Sequence, residues 1–156
     1  NPVGGEGKKD AVKDIIERYQ FKPSDLMYVG DSITDVQPLR YALDEDGLSV
    51  SFNGNEYALK ETEIAVMADN TLPISILADI FNKAGKEQVL EFITSFQEDP
   101  KRALYDYPVD SQLARKYSTS SNMKMEIVDE NNWEKIKEES LKYRKNVRGE
   151  SIGGLG

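Results

Sequence analysis

The sequence contains neither cysteine nor histidine, and these two absences exclude several kinds of active site. Without cysteine there are no disulfide bonds, thiolate zinc sites, iron–sulfur clusters or cysteine nucleophiles. Without histidine the chain lacks the commonest general base, every Ser-His-Asp arrangement and every imidazole metal ligand. Catalysis by this chain therefore depends on carboxylates, lysine, hydroxyl groups and metal ions that prefer oxygen ligands.

The chain also lacks a long apolar stretch and an excess of positive charge. No run of apolar residues approaches the roughly 20 that span a bilayer, and no signal peptide is visible. The 20 Lys and Arg residues against 28 Asp and Glu give a formal charge of −8. This balance argues against nucleic acid or an anionic membrane as the main partner. With no cysteine and no visible targeting segment, we expect a cytoplasmic protein.

The hydrophobic pattern predicts an α/β fold. Apolar residues at helical spacing alternate with short runs that are typical of buried strands. The predicted helices cover 8–19, 36–43, 56–62, 73–84, 86–97 and 132–146, and the predicted strands cover 26–29, 48–52, 64–68 and 123–128. The order of these elements up to residue 84 implies a parallel sheet with helices on its faces, a Rossmann-like three-layer sandwich.

The two halves of the chain differ in composition, and we expect two regions. Residues 1–85 form the α/β core portion, and residues 86–156 form a mainly helical C-terminal extension. Within the extension, the polar residues 98–123 predict a long surface connection with a short helix near 110–117. The interleaved charges of the last predicted helix are typical of a solvated face, and residues 148–156 predict a mobile tail.

Two carboxylates follow the first predicted strand, at the position where α/β proteins bind ligands. Gly30 ends the strand, Asp31 comes next, and Asp35 lies four residues further on, at the start of a helix. Ligands in open α/β sheets bind at the carboxyl ends of the strands, and Mg²⁺ commonly takes one or two carboxylates, waters and a phosphate oxygen. The pair therefore suits a magnesium site, although a turn at Asp31 and a helix cap at Asp35 explain the same residues.

Residues 8–52 resemble the C-terminal half of the haloacid-dehalogenase-like (HAD) hydrolase core. Lys8 begins a predicted helix, the connection FKPSDL follows, and the apolar strand leads into the acidic motif Gly30-Asp31-Ser32-Ile33-Thr34-Asp35. The strand LSVSF and the loop at 53–55 also resemble the segment that follows this motif in the family. The resemblance implies the C-terminal half of a HAD-type core, and it covers about half of the chain.

The resemblance implies a role for each of the motif residues. Lys8 would hold the transferred phosphoryl group and neutralise its charge, with Lys9 as the alternative one position away. Asp31 would coordinate Mg²⁺ directly, and Asp35 would bind it directly or through water. The implied substrate is a phosphorylated small molecule, and the implied reaction is Mg²⁺-dependent phosphoryl-transfer hydrolysis.

One part of the family pattern is missing from this sequence. HAD hydrolases attack with an aspartate in a DxDx(T/V) motif upstream of the lysine, and only seven residues precede Lys8. The segment Asp44-Glu45-Asp46-Gly47 superficially matches such a motif, but it follows a predicted helix rather than a buried strand. We therefore expect the C-terminal portion of a HAD-type phosphatase, inactive alone, whose nucleophile comes from a missing N-terminal segment or a complementing chain.

Two other functions are compatible with the sequence. The chain could be a non-catalytic α/β assembly or binding module that keeps the phosphate and metal half-site and uses the region from residue 98 as its contact surface. A two-component receiver domain fits less well, because its acid pair should lie near the chain start and its phosphoacceptor on a later strand. Under the leading hypothesis the sheet exposes an edge where the first strand of the family belongs, which predicts self-association.

Overall fold

The computed structural model describes residues 4–153 of the chain, with side chains described for residues 4–149. These residues form a four-stranded sheet in the order β1-β2-β3-β4, with helices packed against it. The strands are β1 Met27–Gly30, β2 Leu48–Phe52, β3 Ile64–Ala68 and β4 Met123–Ile127. The helices are α1 Gly5–Arg18, α2 Val36–Asp44, α3 Glu56–Leu59, α4 Leu72–Ala84, α5 Lys86–Glu98, α6 Pro100–Asp106, α7 Ser111–Lys116 and α8 Trp133–Gly153.

Three of the strands run parallel, as the sequence predicts, and the fourth does not. β1 pairs with β2, and β2 pairs with β3, with Val50 between Val29 and Ile64 in the register. β4 runs antiparallel to β3 at the edge of the sheet, where Ile127 lies opposite Ile64. The prediction of an α/β fold is confirmed, but the sheet is mostly parallel rather than wholly parallel.

The main hydrophobic core lies between one face of the sheet and helices α4 to α7. Because side chains alternate along a strand, Val50 and Val66 point to this face, where both are fully buried. Leu77 of α4 and Phe92 of α5 are fully buried in the same cluster. The ring of Phe92 meets the edge of the Tyr107 ring, with 5.6 Å between the ring centroids.

The segment 98–123 is more structured than the sequence predicts. α7 lies where a short helix is expected near 110–117, but α6 was not predicted. Asp99 caps α6 by accepting a hydrogen bond from the backbone N–H of Arg102 at 3.1 Å, and Leu104 is buried in the main core. The prediction of a surface connection is therefore wrong for α6, because a helix of two turns carries too few apolar residues for a period to be visible.

Helices α2, α3 and α8 cover the other face of the sheet. Ser49 of β2 is fully buried on this face, and its hydroxyl donates to the carbonyl oxygens of Leu39 at 3.0 Å and Glu61 at 2.6 Å. Met67 of β3 packs in a second cluster with Ile136 of α8. Both faces of the sheet are thus covered, as in an α/β sandwich.

The last helix is longer than predicted. The sequence predicts a helix over 132–146 and a mobile tail over 148–156, whereas α8 continues to Gly153. Gly149 alone costs about 1 kcal/mol, which does not end a helix; residues 154–156 lie outside the described residues. α8 has 21 residues but is strongly charged. In the described part of the chain, no helix is both long and apolar enough to cross a bilayer.

β1 is an edge strand that lies beside an exposed apolar surface. Among residues 4–153, its neighbour in the sheet is β2 alone. Ile15 and Phe21 are 50% and 58% exposed. Together with Leu26 and Met27 they line a groove of about 750 Å³. An unpaired strand edge next to apolar side chains favours association with another chain.

We expect the 156-residue chain to self-associate as its concentration rises. Phe21→Lys should weaken this association about fivefold, because an apolar anchor contributes on the order of 1 kcal/mol to an interface. Sedimentation velocity over a range of concentrations measures this. Tyr105→Lys is the control, since Tyr105 is 87% exposed on α6. A wild-type chain that stays monomeric at all concentrations, with a high melting temperature, contradicts the prediction.

Candidate functional site

The loop that follows β1 carries both aspartates that the sequence singles out. The strand ends at Gly30, and Ile33–Asp35 form a 3₁₀ turn that leads directly into α2. A Cβ atom at position 30 would lie 2.5 Å from the Cβ atom of Asp35. Only glycine therefore lets the turn fold back onto the strand end, and this close approach fixes where the second aspartate lies.

Asp35 lies inside the loop, where its carboxylate is surrounded by donors. The residue is 6% exposed. Its Oδ1 accepts hydrogen bonds from Lys8 Nζ at 2.8 Å and from the Tyr28 hydroxyl at 3.1 Å. Its Oδ2 accepts from the backbone N–H groups of Asp31 at 2.9 Å and Ser32 at 3.2 Å. Both carboxylate oxygens are thus engaged by the chain itself.

These donors determine the ionisation of Asp35. Burial by itself would raise the pKa of Asp35, but the hydrogen bonds from Lys8, from the backbone of Asp31 and from Tyr28 outweigh burial and hold this pKa below its ordinary value. Burial, together with the charge of Asp35, raises the pKa of the Tyr28 hydroxyl. At neutral pH the loop therefore contains a charged Asp35 and a neutral Tyr28.

Lys8 reaches the loop from α1, 27 positions earlier in the chain. Besides Asp35, its Nζ atom contacts Thr34 Oγ1 at 2.9 Å. The Lys8 side chain is 34% exposed, so its ammonium group is accessible from solvent. Lys9, the alternative, instead pairs with Glu6 at 3.0 Å. The structure therefore places Lys8, and not Lys9, on the acidic loop.

Asp31 is more exposed than Asp35 and has different partners. Its side chain is 42% exposed. Its Oδ2 atom pairs with Arg144 Nη1 and with Arg148 Nη2, each at 3.0 Å. Arg144 Nη1 also donates to the backbone oxygen of Asp31 at 2.8 Å and to that of Asn53 at 3.2 Å. The first aspartate of the motif is thus bound by two cations from the C-terminal helix.

Arg144 and Arg148 are not among the residues that the sequence singles out. They lie 113 and 117 positions after Asp31, and the interleaved charges of their helix indicated a solvated face. A signal was present in their spacing, because both are in step with Ile136 and with Ser140 at four-residue intervals. Successive positions four apart are neighbours on a helix, so this series links the buried Ile136 to Arg144, which is 12% exposed.

Asp31 suits a Mg²⁺ ion better than Asp35 does. One carboxylate, completed by waters and substrate oxygens, is an ordinary ligand set for Mg²⁺, and the exposed side chain of Asp31 matches it. Direct binding by Asp35 would cost the hydrogen bonds that both of its oxygens accept. Among the described residues, no three or more acidic side chains cluster closely enough to hold a metal ion. A cation at this loop would therefore have to take most of its ligands from outside the described residues, and Asp31 is the carboxylate that could hold it.

The fold and the site define a Rossmann-like α/β protein with a lysine and two aspartates at the carboxyl end of its first strand. No protein-family model matches the chain, and no curated protein matches it either. Among solved structures, gene product AF1437 from Archaeoglobus fulgidus is similar, with a TM-score of 0.71 and 21% sequence identity. The similarity covers 94% of this chain but 39% of that one. At this identity it shows the fold alone.

Proposed function

We propose that this chain is the C-terminal portion of a Mg²⁺-dependent phosphoryl-transfer hydrolase of the HAD type. The observation that carries the proposal is the contact between Lys8 Nζ and Asp35 Oδ1, 2.8 Å apart in the loop after β1. A lysine and two aspartates thereby meet at the end of the sheet where α/β proteins bind ligands. This combination supports phosphoryl transfer, because positioned cations stabilise the charge of the transferring group.

Each residue has its own task in the proposed site. Lys8 neutralises part of the charge of the bound phosphoryl group. Asp35 holds the ammonium group of Lys8 in place, and Tyr28 donates to the same carboxylate oxygen. Asp31 would hold Mg²⁺, which when bound polarises the phosphoryl oxygens.

The nucleophile of the proposed reaction would come from outside these 156 residues. The acidic segment 44–47 does not supply it, because this segment lies at the end of α2 and Asp46 pairs with Lys86 at 3.0 Å. A segment of a longer protein, or a complementing chain, would add a strand with the DxDx(T/V) motif along the unpaired edge of β1. The proposed substrate is a phosphorylated small molecule.

Binding of Mn²⁺, as a paramagnetic probe for Mg²⁺, tests the proposed metal site in the isolated chain. We expect weak binding by the wild-type chain, and Asp31→Asn to weaken it at least about tenfold, because the change removes the charged ligand. Electron paramagnetic resonance of free Mn²⁺ measures both affinities.

Asp10→Asn is the matched control for this experiment. Asp10 is exposed on α1, so the substitution makes the same change of charge outside the site. Its affinity should stay within about twofold of wild type, as expected for a screened surface charge. Equal Mn²⁺ binding by the wild-type chain and Asp31→Asn contradicts the proposed metal site.

One observation favours the second candidate, a non-catalytic assembly or binding module. Arg144 and Arg148 already neutralise Asp31, as cations do in a purely structural ion pair. Under this alternative the loop serves to hold α8 on the sheet. Because this alternative keeps the metal half-site, Mn²⁺ binding is compatible with both candidates, and the absence of hydrolysis by the complete protein is the result that favours the second.

A further inference from the structure

One side of α8 lies over the carboxyl ends of β1 and β2. Ile136, Ser140, Arg144 and Arg148 follow one another at four-residue spacing. Each therefore lies next to the one before it but about 40° further round the helix, so the series passes from the buried side at Ile136 to the exposed side at Arg148. Ile136 is fully buried, and the Ser140 hydroxyl donates to the carbonyl oxygen of Gly54 at 2.7 Å. These contacts anchor the helix, so that the two arginines beyond them reach the acidic loop.

The two arginines hold Asp31 in different ways. The side chain of Arg144 is 12% exposed and is also tied to two backbone carbonyl oxygens, those of Asp31 and Asn53. The side chain of Arg148 is 54% exposed, and it reaches the carboxylate from the solvent side of the helix. Exposed ion pairs contribute little and exchange readily, so Arg148 is the partner that a competing cation can displace.

We infer that Arg148 competes with a divalent cation for the carboxylate of Asp31, so that metal binding and docking of the end of α8 oppose each other. This inference rests on the proposed cation site at Asp31. Arg144 and Arg148 both donate to the Oδ2 atom of Asp31 at 3.0 Å, so a divalent ion bound to the same carboxylate competes with them for its negative charge. It also brings positive charge next to the guanidinium group, and like charges repel.

The competition has a reciprocal consequence. If Arg148 lowers the affinity of Asp31 for the cation, then the cation lowers the affinity of Arg148 for Asp31 by the same factor. Arg144 keeps its bonds to the two carbonyl oxygens, so α8 stays attached to the sheet through that residue and through Ser140. Cation binding therefore weakens the contact of Arg148 with Asp31 and leaves the helix around Ser140 in place.

Mn²⁺ titrations of variants of the chain, followed by electron paramagnetic resonance, test the competition. We expect Arg148→Gln to bind Mn²⁺ about two- to fivefold more tightly than wild type, because a partly exposed ion pair changes an equilibrium by about this factor. Lys145→Gln is the matched control, because Lys145 is exposed on the same helix and its loss changes the net charge equally. Thermal unfolding of both variants shows that each is folded.

Each outcome of these titrations decides for or against the inference. Tighter binding by Arg148→Gln than by Lys145→Gln supports it, and so does binding that is seen with Arg148→Gln but not with wild type. Equal affinities of the two variants overturn the competition, and the metal site itself stands if Asp31→Asn still weakens binding. If Arg148→Gln binds no Mn²⁺, or binds it as tightly after Asp31→Asn is added, the proposed site fails together with the inference.

Hydrogen exchange gives a readout that does not depend on affinity. On addition of Mg²⁺ to the wild-type chain, we expect faster exchange of the backbone amides near Arg148 and unchanged exchange near Ser140. Arg148→Gln should exchange quickly near this position without Mg²⁺ and respond little to it. Exchange rates along α8 that do not change when Mg²⁺ is added overturn the inference.

Discussion

Under the proposed function, Asp31→Asn in a protein that includes the nucleophile segment is expected to lower hydrolysis of p-nitrophenyl phosphate by about 10²–10³-fold, the loss that follows removal of one group stabilising transition-state charge. Asp31 lies at the carboxyl end of β1, and its side chain is 42% exposed. The asparagine has nearly the same shape but lacks the charge that would hold Mg²⁺. Steady-state rates over a range of Mg²⁺ concentrations measure the effect.

The Mg²⁺ dependence shows whether the loss acts through the metal. A neutral amide oxygen still binds Mg²⁺ weakly, so a higher Mg²⁺ concentration should restore part of the rate of Asp31→Asn. Asp10→Asn, an exposed site on α1, should hydrolyse at the wild-type rate. Unchanged hydrolysis by Asp31→Asn would lead us to abandon the proposed function.

Asp35→Asn is expected to destabilise the fold by about 2 to 3 kcal/mol at neutral pH. Breaking a buried ion pair costs roughly 3–5 kcal/mol, and the partial exposure of Lys8 reduces this because its ammonium group recovers some hydration. The carboxylate of Asp35 accepts hydrogen bonds from Lys8 and Tyr28. The N–H₂ group of asparagine is itself a donor, so it cannot accept them. Urea unfolding of the two chains measures the difference in free energy.

The pH dependence of this difference follows from the lowered pKa of Asp35. A group whose pKa is lower in the folded state contributes stability that is present above its unfolded pKa, about 3.9 for aspartate. That stability is lost as the pH falls through the lower, folded value. The difference in unfolding free energy between wild type and Asp35→Asn should therefore have its full value at neutral pH and decrease below about pH 4. A gap that does not change with pH contradicts the assignment of a buried, ionised Asp35.

A double-mutant cycle shows whether this stability comes from the pair. Lys8→Met removes the cation and keeps most of the side-chain volume. Because Lys8 Nζ and Asp35 Oδ1 are 2.8 Å apart, we expect the double variant to be less destabilised than the sum of the two single variants, by at least about 0.5 kcal/mol. Lys9→Met is the matched control, since Lys9 pairs with Glu6 instead. Additive effects for Lys8 and Asp35 would mean that the two side chains act separately.

Most of the regular structure could be predicted from local pattern. The strands β2 and β3 and the helix α5 lie within a residue of their expected bounds. The apolar residues of α5 recur at helical spacing, those of β2 alternate with serines, and β3 is a short continuous apolar run. α6 and the end of α8 were not predicted. α6 is short, and the part of α8 beyond residue 146 contains Gly149 and Gly153 and no apolar period, so neither produces a pattern long enough to detect.

The acidic loop was also predictable, but only in part. Gly30, Asp31 and Asp35 lie within six positions, and the turn that joins them is local. What each aspartate does there was not evident. Asp35 is buried under Lys8, whereas Asp31 faces outward toward two arginines. The two aspartates look alike in the motif, but they differ in their partners and in their exposure.

The α/β class, the position of the acidic loop at a strand end, and the exclusion of cysteine and histidine chemistry all follow from the amino-acid sequence. The choice between Lys8 and Lys9, the antiparallel direction of β4, and the pairing of Asp31 with Arg144 and Arg148 became evident in the folded chain. The difference comes from the separation along the chain over which each kind of interaction acts. Propensity, periodicity and turns act between residues a few positions apart, whereas partners 113 positions apart meet because α8 packs against β3 and carries its charged end over the loop.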